Sequence, residues 1–125
     1  MGIVTNGKNL ILDRLFGLSA AVAVSSMGVG TDSTAFAVGQ TQLNPSVAGS
    51  VYLQALDGGT SRTSQTVTAT CTFATGVANF AWNEIGLFNG TVNGTSVMLD
   101  RIAPIGPFTK TSAVSIVAVV TITQA

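Results

Sequence analysis

The sequence lacks histidine altogether and contains only ten charged residues, five acidic and five basic. Without an imidazole there is no Ser-His-Asp triad, no Cys-His pair and no histidine base. The carboxylates are far apart in sequence, and two of them, Asp32 and Asp57, lie in turn contexts where aspartate ordinarily bonds to the backbone. The full set is Asp13, Asp32, Asp57, Glu84 and Asp100. The sequence therefore predicts a protein that is not an enzyme.

Charged residues make up 8% of the chain, against about 25% in an average protein. The five basic residues are scattered, whereas nucleic-acid binding needs clustered ones, so nucleic acid is not expected as the main partner. The formal net charge is zero, although a free monomer usually keeps neighbours away with a net charge. The surface is therefore either an uncharged Thr/Ser-rich β surface or is covered in a permanent assembly. The low charge favours assembly.

Cysteine is almost absent too, since Cys71 is the single one, which excludes an intramolecular disulfide. Its place in an alternating pattern predicts a small buried apolar residue. Nothing in the sequence pairs with it as a metal site, and no cofactor is expected. An apolar run from Leu15 to Val24 is far shorter than the roughly 20 residues that cross a bilayer, and Asp13 precedes it where a signal peptide would be basic. We expect neither membrane insertion nor secretion.

A chain of 125 residues has the length of one domain, which we place at residues 1–125. Its first element is predicted to be a short helix that is capped by Asn6 and includes residues 9–16. Ile11, Leu15 and Leu18 recur at helical spacing and predict an apolar face that lies on a sheet. Asp13 and Arg14 would then point outward or pair locally.

The rest of the chain reads as β-strands separated by turns. Residues 66–73 give the clearest pattern, because apolar side chains alternate with four threonines, as in a strand with one face in a core. Other strands are predicted at 51–55, 80–89 and 97–102. Gly28 and Gly30 are interpreted as the end of an alternating run, before a long polar excursion.

The last predicted strand, at residues 114–122, is apolar on both faces through its middle. Such a strand is typically central in a sheet or covered on both sides. Short strands at regular spacing favour an antiparallel β-sandwich or a partly open barrel. The fold class is thus mostly β, with the short N-terminal helix capping one end or one sheet.

Glu84 stands out because it lies inside a predicted strand, where carboxylates are disfavoured. It has the same parity as three aromatic residues, Phe80, Trp82 and Phe88, which are candidates for a core or an interface. A buried carboxylate needs a partner. Arg101, on the strand expected to pair with it, is the first candidate and Arg14 the second. The pair would fix strand register, or Glu84 would contact a neighbouring subunit.

Several motifs occur in an order that resembles a known family. They are Ile3–Asn6 with Asn9–Leu15, the Gly28–Asp32 turn and its small-residue loop, Trp82–Asn89, Leu99–Arg101, and a β-rich end after Lys110. This order resembles small tailed-phage virion proteins labelled tail fibre-like, collar-like or head decoration proteins, whose hallmark is a W-x-E-(I/V)-G-(L/I)-F strand. The resemblance spans nearly the whole chain and implies a structural part of the virion without catalytic residues.

The leading hypothesis is a capsid decoration, or cement, protein on the outer surface of a phage head. Its partner would be the major capsid protein, and it would bind as a homo-oligomer, expected to be a trimer. The alternative is a tail fibre, collar or other tail-associated attachment component. A third hypothesis is a glycan-binding module in which Trp82 and Tyr52 stack on sugar rings, although a core position suits both residues better.

Overall fold

A computed structural model describes residues 2–18, 21–43 and 50–124 of the chain. Strands make up 39% of the structure and helix 10%, and every strand pairing is antiparallel. The prediction of a mostly β antiparallel fold with one short N-terminal helix is confirmed. The long polar segment predicted after Gly30 extends to residue 45, and its residues 44–45 lie outside the described residues.

The described residues form ten strands and one helix. In chain order they are β1 (Gly2–Ile3), α1 (Thr5–Phe16), β2 (Ser26–Gly30), β3 (Val51–Ala55), β4 (Ser61–Thr63), β5 (Thr66–Phe73), β6 (Ala81–Trp82), β7 (Glu84–Phe88), β8 (Met98–Ile102), β9 (Phe108–Thr109) and β10 (Ile116–Thr123). A five-stranded sheet has the order β1-β8-β7-β2-β3, and a three-stranded sheet has the order β10-β5-β4. Strands β6 and β9 form a separate ribbon.

The main core lies between the two larger sheets. The five-stranded sheet contributes apolar side chains from β2 and β7, and the three-stranded sheet contributes them from β5 and β10. These residues include Met27, Val29, Ile85, Leu87, Ala69, Cys71, Phe73 and Val120. Burying one large apolar side chain stabilises a fold by about 1.5–3 kcal/mol. This shared layer is therefore what holds the sheets together.

A second, smaller cluster covers the opposite face of the five-stranded sheet, where Val4, Leu43, Phe88 and Met98 are buried together. Strands β2 and β7 are consequently buried at every residue. Buried strands of this kind tolerate glycine where another side chain needs the space.

Gly28 and Gly30 lie inside β2, so the prediction that they end a strand was wrong. A Cβ at Gly28 would come within 3.0 Å of atoms of Phe88, Leu43 and Leu53. A Cβ at Gly30 would collide with the carboxylate of Glu84. These glycines leave room for large side chains from neighbouring elements, and no local pattern in the sequence reveals that need.

Helix α1 begins at Thr5 after Val4, without a side-chain cap, and ends at Phe16, which is followed by Gly17 with a left-handed φ of 63°. Gly7 and Leu10 are its buried residues, and a Cβ at Gly7 would overlap the backbone of Leu99 on β8. The predicted face of Ile11, Leu15 and Leu18 is instead exposed. The predictions of the cap at Asn6 and of this apolar face were therefore wrong, because the helix approaches the sheet through Gly7 and Leu10 instead.

The predicted strand at 80–89 is interrupted at Asn83. The backbone N–H of Asn83 donates to Gly30 O at 2.8 Å, and its side-chain amide donates to Thr31 O at 3.0 Å. The interruption sends Trp82 into the main core, while Glu84 and Phe88 face the smaller cluster. The prediction that Trp82 and Glu84 share a face was therefore wrong.

Strand β10 pairs with β5 alone among the described strands and forms one edge of the three-stranded sheet. Its outward-facing Val117 and Val119 are 60% and 57% exposed. Within the chain the strand is therefore neither central nor covered on both sides, contrary to the prediction. Its apolar outer face needs another explanation.

Candidate functional site

The guanidinium of Arg101 is the centre of a buried polar cluster. Arg101 Nε donates to Glu84 Oε2 at 2.8 Å, and Arg101 Nη2 lies 3.4 Å from Asp32 Oδ2. Arg101 is 1% exposed and Glu84 is fully buried. The structure thus pairs Glu84 with the first of the two candidates. The second, Arg14, is exposed on α1 and donates to Ala21 O at 3.1 Å.

The remaining donors of Arg101 bind the long loop that follows β2. Nη1 donates to Thr34 O at 2.8 Å and to Gln40 Oε1 at 3.2 Å, and Nη2 also donates to Asp32 O at 3.4 Å. All five N–H groups of the guanidinium therefore have an acceptor, which a buried arginine requires. The cluster fixes the loop at residues 31–43 against β8. Its geometry is that of a clamp between this loop and the five-stranded sheet.

Asp100, the residue before Arg101, is a second buried carboxylate that the sequence does not single out. Its Oδ1 accepts the N–H of Leu87 at 3.0 Å, while Oδ2 has no hydrogen-bond partner among the described residues. Burial raises the pKa of Asp100 from 3.8 to about 6, although the Leu87 N–H and the N-terminal amino group both lower it. The only sequence signal is an aspartate inside a strand.

Two other reactive residue types are buried in structural positions. Lys110 Nζ donates to Asn79 Oδ1 at 2.7 Å, which ties the turn before β6 to the segment after β9. Burial, and then the charge of Asp57, raise the pKa of the Cys71 thiol to about 12. Its thiolate is therefore scarce at neutral pH, as expected of an unreactive cysteine.

The helix carries an uncovered apolar surface that we call the helix patch. It consists of Ile11, Leu12, Leu15, Phe16 and Leu18. Leu15 and Phe16 are 72% and 69% exposed, more than any other large apolar side chains in the described chain. Contiguous exposed apolar side chains of this kind typically mark an interaction site.

The three-stranded sheet carries a second uncovered surface, the threonine–valine face. Its members, from β4, β5 and β10, are Ser61, Thr63, Thr66, Thr68, Thr70, Thr72, Val117, Val119, Thr121 and Thr123, which the strand register places on one side. None of these residues is charged. The carboxylate of Asp57 lies beside the face and accepts a hydrogen bond from Thr72 Oγ1 at 2.6 Å. The members themselves have no charge that would have to be buried against another protein.

An open apolar groove lies between α1 and the three-stranded sheet. Its lining includes Ile3, Ile11, Val67 and Ile122. It extends along the helix to Leu15 and Gln124, next to the end of β10. The groove therefore connects the helix patch to the strand that forms the sheet edge.

The aromatic residues that the sequence singled out, Trp82, Phe80, Phe88 and Tyr52, pack in or against the cores. Trp82 is buried, packs edge-on against Phe73 with ring centres 5.0 Å apart, and donates its indole N–H to Ala78 O. Phe80 and Tyr52 pack against the same core, and Phe88 lies in the smaller cluster. Neither Trp82 nor Tyr52 presents a free ring of the kind that stacks on sugars.

The described residues contain no group of three side chains that could hold a metal ion. None of the described helical residues forms a segment long and apolar enough to cross a membrane. A comparison with protein families, with curated proteins and with solved structures gives no match for this chain.

Proposed function

We propose that this chain is a structural subunit of a phage particle that decorates the outer surface of the head and strengthens contacts between capsomers. The observation that carries the proposal is the combination of the helix patch with the threonine–valine face. Both are uncovered, and neither suits a protein that works alone. The order of motifs around Trp82–Asn89 supplies the link to tailed-phage virion proteins.

The polar cluster at Arg101 suits this role because it makes one side of the molecule rigid. A buried ion pair adds little net stability compared with apolar residues of the same shape. It does impose one position on the loop at residues 31–43, since five hydrogen bonds must be satisfied together. A subunit that bridges two capsomers benefits from such rigidity, because less freedom is lost on binding.

The mechanism is the addition of buried area at many equivalent positions. A specific interface usually buries at least about 1,000 Å², and the helix patch offers a large apolar contribution on one side of the molecule. Repetition over a shell multiplies a modest affinity at each position when subunits are linked. A decoration protein of this kind acts by delaying the separation of capsomers.

The test is a comparison of particles with and without this chain. We expect particles that lack it to release their DNA at a lower temperature than complete particles. When the salt concentration is lowered, they should also release it at a concentration that complete particles still withstand. Re-addition of the purified chain should restore the original temperature. Equal release temperatures for the two particles would contradict the cement role.

Copy number separates the head position from the tail alternative. A head decoration protein should be present in hundreds of copies per particle, whereas a collar or fibre component should be present in far fewer. Quantitative mass spectrometry against the major capsid protein measures this ratio. A ratio of a few copies per particle would favour the tail-associated role.

A further inference from the structure

Strand β10 presents an open edge whose free backbone groups are determined by its register with β5. Gln124 N donates to Gln65 O at 3.0 Å, one residue beyond the Thr123–Thr66 pair. Hydrogen-bonded pairs alternate along an antiparallel ladder. Residues 122, 120, 118 and 116 therefore bond to β5. The N–H and C=O groups of residues 117, 119, 121 and 123 point away from the sheet.

This edge has none of the protection that soluble proteins usually give an open strand. Ile116–Thr123 contains no charged residue and no proline, although edge strands are normally guarded by lysine, proline or a bulge. Its register with β5 is also continuous over all eight residues. An apolar, uncharged and regular edge pairs readily with another strand.

We propose that β10 pairs with β10 of a second copy of this chain, antiparallel, around a two-fold axis that passes through Val120. Residue 117 of one copy then faces residue 123 of the other, and residue 119 faces residue 121. These pairs use all four outward-pointing residues of each strand and form about eight backbone hydrogen bonds, two for each pair. The two three-stranded sheets become one sheet of six strands.

The register is self-complementary, as a two-fold interface requires. A shift of one residue along either strand would place outward-pointing residues opposite residues that already bond to β5. A shift of two residues would leave one outward-pointing residue of each described strand without a partner in the other strand. The proposed register brings Val119 opposite Thr121 and Val117 opposite Thr123 on the outer face. No like charges meet, because the strand has none. The partner that best matches this edge is therefore the same edge.

The same register also covers part of the open groove. It places Ile116 of the second copy opposite Gln124, which lines the groove beside Ile11 and Leu15. Val114, which precedes β10 and is exposed, then continues toward this apolar lining. A single arrangement thus covers the open edge and extends apolar contacts to the adjoining groove.

The inference does not depend on a role in a phage particle, and it favours a two-fold dimer over the trimer that the sequence led us to expect. If the chain is a dimer in solution but has no effect on particles, only the proposed function is contradicted. If a monomeric chain stabilises the particles, only the proposed dimer is contradicted.

The first test uses two identical substitutions on facing residues. Thr121→Lys places a charge on the open edge, and Thr68→Lys places the same charge on its cross-strand partner in the central strand. We expect the parent and Thr68→Lys to sediment as dimers. Thr121→Lys should raise the dissociation constant at least about tenfold, since its two lysines lie diagonally across the axis. A parent that sediments as a monomer or a trimer, or equal effects of both substitutions, would overturn the proposal.

The second test measures the register and does not require dissociation. Chains with Val119→Cys and chains with Thr121→Cys are mixed under mild oxidation, while Cys71 stays in place because its pKa keeps it unreactive. We expect a disulfide-linked dimer in the mixture and none in either chain alone, since residue 119 of one copy faces residue 121 of the other and neither residue faces itself. Self-linking of Val119→Cys alone, or no link in the mixture, would contradict this register.

Discussion

The two larger sheets of the molecule share one core but differ in what covers their other faces. Strands β2 and β7 of the five-stranded sheet are buried at every residue, under the loop that Arg101 holds and the start of α1. In the three-stranded sheet, by contrast, β5 buries Ala69, Cys71 and Phe73, and β10 buries Val120 alone. One sheet is complete within a single chain. The other has an outer face rich in threonine and an uncharged edge strand that the described chain leaves uncovered.

The difference shows where polar groups are used in a protein that has few of them. Three of the ten charged residues, Arg101, Glu84 and Asp32, form one cluster beside the five-stranded sheet. The threonine–valine face has none. Charge is therefore used to fix one side of the fold, whereas the side chains that make up the threonine–valine face carry none.

The largest effect is expected at the buried ion pair. Glu84→Ala leaves the Arg101 guanidinium buried without its closest carboxylate, and loss of one partner of a buried pair costs about 3–5 kcal/mol. Arg14→Ala is the matched control, because this arginine is exposed and should change the unfolding free energy by no more than about 0.5 kcal/mol. Urea unfolding measures both. Equal midpoints for the two variants would show that the cluster does not hold the sheet.

A smaller effect, with the opposite sign, is expected at Asp100. Burial raises its pKa from 3.8 to about 6, so the folded state favours the protonated form. This contribution is fully present below pH 3.8 and is lost as pH rises toward about 6. The difference in unfolding free energy between Asp100→Asn and the parent should therefore shift by up to roughly 3 kcal/mol in favour of the variant between pH 4 and pH 7. Unfolding at several pH values measures the difference. A constant difference would contradict the raised pKa.

The two faces of β10 give a contrast within one strand. Val120 is buried against β5, whereas Val119 is exposed on the threonine–valine face. Val120→Thr should lower the unfolding free energy by about 1–3 kcal/mol, because it buries a hydroxyl in an apolar site. Val119→Thr should stay within about 0.5 kcal/mol of the parent. Thermal unfolding of both variants under conditions that keep the chain dissociated measures the contrast. Equal losses would mean that the outer face is already covered within the chain.

Sequence reasoning succeeded where the cause is local. The threonine alternation at residues 66–73 predicted β5, because side-chain direction in a strand depends only on neighbouring positions. Placing Arg101 on the strand next to Glu84 also needed only a hairpin between the two. The pairing could therefore be anticipated from two strands and one unfavourable carboxylate.

Sequence reasoning failed where the cause is a distant atom. Gly28 and Gly30 are paired within β2, and they are glycines because Phe88 and Glu84 occupy the space that a Cβ would need. Composition alone interprets such glycines as the end of a strand. Gly7 determines the buried face of α1 because it contacts the Leu99 backbone, although a pattern of large apolar residues points elsewhere. Asp100 and Lys110 could be recognised as buried polar residues only from the structure.

The smallest effect on stability is expected at the helix patch. Leu15→Gln with Phe16→Gln replaces two highly exposed apolar residues by a good helix former. The unfolding free energy should therefore change by no more than about 1 kcal/mol for the pair. If the helix patch docks on a capsid, the same variant should bind at least tenfold more weakly to particles stripped of the protein. Lys8→Gln, exposed on the same helix, should bind like the parent. Unchanged binding of the double variant would remove the helix patch from the contact, and the threonine–valine face would then be the remaining candidate surface.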